Sequence, residues 1–564
     1  MEYNRVLPFA ALQCYNLTKK QSLTGVIYMV KDEKLWIAKS GSMRICMEPR
    51  MCNRHGLIAG ASGTGKTITL KVMAESFSEL GVPVFLADIK GDLAGMCRAG
   101  QHNDSMEKRI ARFDIPDWRY RVFPTRFWDV YGEEGHPVRT TVSEMGPDLL
   151  ARLMDLTAVQ TDVLNLVFRI ADDQGLLLID LKDLRAMLRY VGENRSDYTI
   201  QYGNMSAQSL GGIQRALLVL EDAGGDLFFG EPAIDIFDWI KTDENGRGYI
   251  NVLHSVKLVQ NQTLYATFLL FLMSELFERL PEAGDPEKPK IVFFFDEAHL
   301  LFNDAPKVLL QKVEQVVKLI RSKGVGIYFV TQNPKDIPDG VLSQLGNKIQ
   351  HALHAYTPGE QKGAKAAAQA FRENPEFNTY EVLQELAIGE ALVSVLNEEG
   401  IPTVVKRCTM LPPQSNLGTL DDRTREEQIR GSMLYSKYNE YFDRDSAYEF
   451  LQRTNLQAQK EAAAQAAAQK EEAVRQKEQE KLEAAQLKAQ EKEQLRLQKE
   501  QEEEAKKKKA NRVAGSVARS AAGTVGRELG NSLGKSIGGS FGKRLGGNVG
   551  ASLGRGIMST LFKL

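Results

Sequence analysis

The feature that most constrains the fold is a glycine-rich motif near residue 60. It satisfies the pattern G-x-x-x-x-G-K-[ST] and consists of Gly60, Ala61, Ser62, Gly63, Thr64, Gly65, Lys66 and Thr67. An apolar run precedes it as a predicted strand and the pattern KTITLKVMAESFSEL follows as a predicted helix, which is the context that a phosphate-binding loop requires. We expect loop N–H groups to surround the phosphates of a nucleotide, Lys66 to reach the β- and γ-phosphates, and the Thr67 hydroxyl to bind Mg²⁺.

A second motif, IVFFFDEAHL, supplies the residues that hydrolysis needs. Asp296 ends its apolar run and can hold Mg²⁺ through water, while Glu297 can take a proton from an attacking water. A switch GTPase positions its water differently and needs no base here, so the pair favours a Mg²⁺-dependent ATPase that uses ATP. For His299 we favour a structural hydrogen-bonding role.

Polar and charged residues close two further predicted strands. Gln332 ends GIYFVTQ and would lie beside the Asp296 strand at the carboxyl edge of the sheet, where it could sense the γ-phosphate. Arg321 and Lys323 end the helical pattern before this strand; they either cap its last carbonyls or, for Arg321, insert into a neighbouring subunit's site as an arginine finger. Three residues after another strand either line the pocket or cap a turn: Asp88, Lys90 and Asp92.

Apolar runs with helical patterns between them predict an α/β fold with a parallel sheet that is covered on both faces. The runs lie at 55–60, 82–88, 290–298 and 326–332. We assign residues 51–415 to this domain, with a helical insertion at about 100–250. Residues 1–50 read as a short N-terminal β meander.

The composition changes after the domain. Residues 416–455 read as a linker with a short helix, and residues 456–509 contain no Gly or Pro and are almost entirely Ala, Gln, Glu, Lys and Leu, which predicts a long charged helix. A coiled coil is the minority reading, because leucines are too sparse for a sustained seam. Residues 510–564 form a cationic repeat in which an apolar and a small residue recur every four positions. We expect this tail to be disordered, to self-associate or to contact an anionic membrane.

The overall composition says more about the cellular compartment of the protein than about its binding partners. The net charge of −1 gives no global sign of nucleic-acid or membrane binding. Five scattered cysteines fit neither a disulfide framework nor a zinc site, and the N-terminus lacks a secretory signal. The longest apolar stretch, 264–273, is too short to span a membrane and reads as a buried helix. We therefore expect a cytoplasmic protein, with peripheral contact at the inner face of the membrane as an alternative.

Several motifs in order resemble the HerA–FtsK superfamily of P-loop motors, most closely a bacterial branch of HerA-like ATPases. The similarity rests on MCNRHGLIAGASGTGKT, VPVFLADIKGDLAG, FFFDEAHLLFNDAPKVLL and VKLIRSKGVGIYFVTQNPKDIPDGVLSQLGNKIQHAL. The resemblance implies a RecA-like (ASCE) sheet, a hexameric ring, an arginine finger at Arg321 acting in trans and a sensor at Gln332. It also implies DNA translocation or unwinding, and a nuclease partner. About 50 residues precede the loop, which leaves room only for a shortened version of the β-barrel that archaeal relatives carry there.

Three other readings remain open at this stage. The first is a secretion or conjugation ATPase of the same superfamily, which would move or assemble protein at a membrane. The second is a DEAH-type RNA helicase, suggested by the letters Asp296 to His299, although too few residues follow for its second RecA-like domain. The third is a membrane-tethered scaffold, which would not need Lys66, Thr67, Asp296 and Glu297 together.

Overall fold

We describe a computed structural model of the chain, which covers residues 29–510 except 114, 116–117 and 303–306. The chain divides into two compact units, residues 1–448 and 449–564. The first contains an extended sheet flanked by helices, and the described part of the second is helical. The predicted tail 510–564 lies outside the described residues, apart from Ala510.

Thirteen strands form one sheet in the described part of the first unit. They are β1 (Val30–Lys31), β2 (Lys34–Ser40), β3 (Met43–Met47), β4 (Gly56–Ala59), β5 (Val84–Asp88), β6 (Thr125–Asp129), β7 (His136–Pro137), β8 (Ile250–His254), β9 (Ile291–Phe295), β10 (Val325–Thr331), β11 (Asn347–Gln350), β12 (Glu390–Ser394) and β13 (Lys406–Met410).

The described helices begin with the one that follows the glycine-rich loop. They are α1 (Lys66–Glu79), α2 (Asp104–Ala111), α3 (Val142–Leu153), α4 (Ala158–Asp173), α5 (Leu181–Glu193), α6 (Arg195–Tyr202), α7 (Ala207–Asp222), α8 (Gly225–Phe228), α9 (Gln262–Arg279), α10 (His299–Phe302), α11 (Lys307–Ile320), α12 (Asp339–Leu342), α13 (Pro358–Gln369), α14 (Thr379–Glu385), α15 (Asp422–Arg430), α16 (Tyr435–Tyr438) and α17 (Ala447–Ala510).

The centre of the sheet is parallel in the order β11-β4-β10-β9-β5-β8-β6-β7. One strand, β10, therefore separates β4, which leads into the glycine-rich loop, from β9, which leads into Asp296. On the other side of β11 the sheet continues antiparallel through β12, β13 and β2. The predicted α/β fold with a RecA-like sheet is confirmed.

The central strands are buried on both faces, as their continuous apolar runs predict. Neighbouring residues of β9 point to opposite faces: the ring of Phe294 packs 6.3 Å from that of Phe77 on α1, whereas Phe293 packs 4.9 Å from Phe85. These contacts place α1, and with it the glycine-rich loop, against one face of the sheet.

The interval that we predict as a helical insertion contains helices α2–α8 but also strands β6 and β7. Strand β6 pairs in parallel with β8, so this part of the chain widens the sheet. The five residues TRFWD that form β6 are too few for their periodicity to separate a strand from a buried helical turn. The predicted buried helix at 264–273 lies within α9, and no helix in the described part of the chain is long and apolar enough to cross a membrane.

The remaining predicted segments have the following structure where it is described. Strands β1–β3 lie in the predicted meander, and they join the main sheet where β2 pairs with β13. The predicted linker contains α15 and α16. The long charged helix α17 has 64 residues, beginning at Ala447 and so earlier than the predicted 456.

Candidate nucleotide-hydrolysis site

The glycine-rich loop connects the end of β4 to the start of α1 in a backbone conformation that requires glycine. Gly60, Gly63 and Gly65 have φ angles of 152°, 76° and 115°, which side chains disfavour. A Cβ at Gly60 would also lie 2.5 Å from the Cβ of His351, so the loop passes close to the end of β11. The turn leaves the first N–H groups of α1 free of intrahelical partners, as at the start of any α-helix, and such groups bind anions.

Lys66 is buried at the start of α1 and turns back over the loop. Its Nζ donates to the carbonyl oxygens of Gly60 at 2.7 Å and Ala61 at 3.0 Å. Burial lowers the pKa of Lys66, while the nearby charge of Glu297 acts in the opposite direction. Thr64 ties the loop together by donating to the Ala61 carbonyl, and Thr67 is half-buried in the first turn of α1. Ser62 is exposed at the tip of the loop.

Asp296 and Glu297 follow β9 directly at the carboxyl edge of the sheet. Asp296 is 4% exposed, and its Oδ1 accepts the N–H of Glu297 at 2.9 Å. Burial raises the pKa of Asp296 to about 6. A buried carboxylate in this place is best stabilised by a cation, because an unpaired buried charge is costly.

Glu297 is the centre of a small polar cluster that includes three residues named from the sequence. Its Oε1 lies 2.7 Å from the Nζ of Lys90, and its Oε2 accepts from the Nε2 of Gln332 at 3.3 Å. The Nδ1 of His299 lies 3.4 Å from the same Oε2. Burial alone would raise the pKa of Glu297, but the hydrogen bond and charge of Lys90 outweigh it, so the pKa is lowered. Gln332 reaches Glu297 because the two residues follow β10 and β9, which are neighbouring parallel strands.

The two other residues named beside Lys90 differ in their surroundings. Asp88 accepts the N–H groups of Gly91 at 2.8 Å and Leu93 at 3.2 Å, which is the turn-capping role. Burial raises its pKa to about 6, with the charge of Asp92 acting in the same direction. Asp92 Oδ1 is buried without a hydrogen-bond partner among the described residues.

Arg321 does not lie at this edge within the same chain. It stands just before β10, whereas Gln332 stands just after it, so a strand of seven residues separates them by roughly 20 Å. Its neighbour Lys323 pairs with Glu282 at 2.9 Å, which commits that cation within the chain. Within the described residues Arg321 makes no ion pair.

Two residues near the site carry no motif and are not anticipated from the sequence. His351 follows β11; its ring is hydrogen-bonded to Thr69 Oγ1 at 2.9 Å and to the Glu390 carbonyl at 2.8 Å, and burial lowers its pKa to about 4. Tyr265 on α9 is buried, its hydroxyl has no hydrogen-bond partner in the described part of the chain, and its pKa is raised by burial and by the charges of Asp296 and Glu297. No apolar run signalled His351, because β11, which it follows, reads NKIQ and contains one apolar residue.

The donor set fits magnesium held together with a nucleotide. Mg²⁺ is usually bound by one or two protein oxygens, substrate phosphates and water. Asp296 and the Thr67 hydroxyl are hard oxygen donors of this kind. Across the described ranges no group of three or more His, Cys, Asp or Glu side chains could hold a metal by itself.

The strand order and these residues define a P-loop nucleotide-hydrolysing domain of the RecA-like type. The family model for the helicase HerA-like C-terminal domain matches residues 33–545. The chain therefore belongs to the HerA-like family.

The chain is also similar to individual proteins. The chain is 21% identical over 379 residues to the DNA double-strand break repair helicase HerA of Sulfolobus acidocaldarius, and the aligned region covers 66% of this chain and 67% of that protein. It is 23% identical over 348 residues to the probable helicase MJ1565 of Methanocaldococcus jannaschii, covering 61% and 60%. Other curated relatives are matched over as little as 32% of their length, so the chain spans from about one third to about two thirds of the relatives it matches. Among solved structures, VirB4 of Thermoanaerobacter pseudethanolicus is similar at 15% identity, with 68% of this chain and 97% of that chain covered and a TM-score of 0.43.

Proposed function

We propose that the protein is a Mg²⁺-dependent ATP hydrolase that works as a ring-forming motor on DNA, in the manner of a translocase or helicase. One observation carries this proposal: the phosphate loop with Lys66 and the cluster of Asp296, Glu297 and Gln332 stand at one edge of one sheet. Membership of the HerA-like family and the similarity to a DNA double-strand break repair helicase support the choice of DNA as substrate.

The residues divide the chemistry among them. Loop N–H groups and Lys66 bind the phosphates, and Lys66 exchanges its contacts with the Gly60 and Ala61 carbonyls for phosphate oxygens. Glu297 accepts the proton of the attacking water, and Gln332, already hydrogen-bonded to Glu297, orients that water against the γ-phosphate. Thr67 and Asp296 would hold Mg²⁺, which when bound neutralises charge that develops on the phosphates.

A neighbouring subunit completes the site in this proposal. Arg321 lies at the opposite end of β10 from Gln332, so it can serve the site of an adjacent copy and not its own. A closed homo-oligomeric ring, a hexamer by family resemblance, would bring each Arg321 to the next nucleotide. A nuclease partner and a cytoplasmic location stay predictions.

The test measures ATP turnover on sized oligomers with and without duplex DNA. Lys66→Ala should lose nucleotide binding, because the loop loses its phosphate-binding cation. Glu297→Gln should retain ATP but turn it over about 10²–10⁴-fold more slowly, since only the general base is removed. Glu376→Gln makes the same chemical change at an exposed position away from the cluster and should behave as wild type.

Two outcomes would contradict the proposal. Unchanged turnover in Glu297→Gln would show that this carboxylate is not the base. A monomer that hydrolyses ATP with no response to DNA would contradict the motor on DNA and favour the secretion or conjugation ATPase.

A further inference from the structure

An arginine that has no counter-ion within the described residues lies near the phosphate loop, on the side away from the catalytic cluster. Arg109, on α2, is partly buried, and its Nη2 donates to the carbonyl oxygen of Ile388 at 3.0 Å. Within the described ranges no carboxylate lies at ion-pair distance from it. The carboxylate of Glu390, close by in sequence to Ile388, pairs instead with Arg407 at 2.7 Å.

The contact to the loop runs through Gly389. Its N–H donates to the carbonyl oxygen of Thr64 at 3.0 Å, and a Cβ built on Gly65 would lie 3.3 Å from its Cα. A Cβ on Gly389 itself would lie 1.8 Å from Arg109 Nη2, and its φ is 79°. Only glycine therefore allows the guanidinium to approach the loop this closely.

The side chain of Ile388 is a second unexplained feature at the same place. It is 75% exposed, although it stands directly before a residue that contacts the phosphate loop. The guanidinium of Arg109 thus contacts the backbone of the residue that carries this exposed apolar side chain. A planar cation and an apolar side chain together suit the face of an aromatic ring.

The position of the patch relative to the sheet decides which part of a nucleotide it would meet. Asp296, Glu297 and Gln332 follow β9 and β10 on one side of the loop strand β4. Gly389 stands at the start of β12, beyond β11 on the other side. Because the γ-phosphate must face the catalytic cluster, the nucleoside end points toward Gly389.

We propose that Arg109 and Ile388 bind the base of the nucleotide, with the guanidinium stacked on one part of the ring and the isoleucine side chain packed against it. This rests on the proposed nucleotide site at the loop. Stacking does not read the hydrogen-bonding edge of a base, so this contact favours an aromatic base without selecting adenine over guanine.

The experiment compares two probes on the full-length protein by titration calorimetry: ADP with Mg²⁺, and inorganic pyrophosphate with Mg²⁺. Arg109→Ala and Ile388→Ser should each weaken ADP binding by about tenfold, as expected for a lost cation–π or apolar contact to the base. Neither should change pyrophosphate binding, because that probe has no base. Arg109→Lys should remain weak for ADP, since an ammonium lacks the planar stacking surface.

Two controls separate this contact from general effects. Arg112→Ala removes the same charge just after the end of α2, from an exposed side chain, and should leave ADP binding unchanged. Ile388→Ser leaves the backbone carbonyl that Arg109 contacts in place, so it tests the base contact even if Arg109→Ala disturbs folding.

The outcomes distinguish the two proposals. Equal weakening of ADP and pyrophosphate by Arg109→Ala, with recovery in Arg109→Lys, would overturn base stacking and assign Arg109 to the phosphates. ADP binding unchanged in both Arg109→Ala and Ile388→Ser would also overturn it. Lys66→Ala should lose both probes, and a wild-type protein that binds neither would overturn the nucleotide site itself.

Discussion

A buried glutamate on the loop helix allows a quantitative prediction about stability and pH. Glu75 lies on α1, nine positions after Lys66, and is fully buried. Its carboxylate oxygens accept the N–H of Gln414 at 2.8 Å, the N–H of Ser415 at 3.0 Å and the Ser415 hydroxyl at 2.5 Å. These contacts fasten the segment after β13 to the helix that begins at the phosphate loop.

The expected magnitude follows from the pKa of this carboxyl. Burial raises the pKa of Glu75 from 4.5 to about 7, against the opposing effect of its three hydrogen bonds and of Lys71. Between these two values the folded protein holds a proton that the unfolded chain has released, so stability falls as pH rises through the window. The full loss is about 3 kcal/mol, at about 1.4 kcal/mol for each pH unit.

The perturbation is Glu75→Gln, which keeps the shape and removes the titration. We expect the free energy of unfolding of wild type to fall by about 3 kcal/mol relative to the variant between pH 4.5 and pH 7.5. Replacing an acceptor oxygen by an amide group adds a cost to the stability of the variant that does not depend on pH. It shifts the difference in unfolding free energy between wild type and variant without changing how that difference depends on pH. Equilibrium urea denaturation at several pH values measures the difference, and Glu376→Gln controls for the same change at an exposed site.

A difference that stays constant across this range would refute the reasoning. It would mean that Glu75 is already ionised in the folded protein at pH 5 as a buried ion pair with Lys71. The Nζ of Lys71 donates to the Asn416 carbonyl at 2.9 Å. An ion pair of Glu75 with Lys71 would therefore still attach the segment after β13 to α1, but with both side chains charged.

Two further predictions concern the loop and the ring. Gly60→Ala should lose ADP binding and about 1–3 kcal/mol of stability, because the φ of Gly60 is 152° and the added Cβ would meet His351. Gly63→Ala adds a Cβ with no atom within 4 Å and should cost only the backbone strain. Equal effects of the two substitutions on ADP binding by calorimetry and on thermal unfolding would contradict this prediction. Arg321→Ala should lower ATP turnover about 10³-fold or more while leaving ADP binding intact. Mixing Arg321→Ala subunits with Lys66→Ala subunits should restore part of the activity, because the first variant keeps the phosphate loop and the second keeps the arginine finger. No recovery on mixing oligomers that exchange subunits would contradict an arginine finger in trans.

The sequence was most informative where chemistry and local periodicity coincide. The apolar runs before Gly60, Asp296 and Gln332 lie in central strands, and the order of these strands brings Gln332 to Glu297, as the carboxyl-edge argument predicts. Each inference needed only a short strand pattern and the residue after it. The turn-capping role of Asp88 was one of two readings of a local sequence, and only the hydrogen bonds separate them.

Contacts between distant segments could not be predicted in this way. Arg109 lies near the phosphate loop only because Gly389, 280 positions further along the chain, contacts both Thr64 of the loop and the guanidinium. His351 contacts Thr69 across 282 positions because β11, which it follows, pairs with the loop strand β4. Strand β6 escaped detection because five residues carry too little periodicity, and its place in the sheet depends on pairing with β8, more than 100 residues away.

The backbone at Glu297 connects strain to the proposed catalysis. Its φ is 45°, a left-handed conformation that costs a non-glycine residue roughly 1–2 kcal/mol. The sheet maintains it, since the N–H of Ala298 donates to the Val330 carbonyl at 2.8 Å and so continues the attachment to β10 beyond the end of β9. The bend directs the carboxylate toward Lys90 and Gln332 and away from the course of the strand. Strain of this kind is often found at functional sites, and among the described non-glycine residues with positive φ Glu297 is the one in the nucleotide-site cluster, so its conformation supports the proposed role as general base.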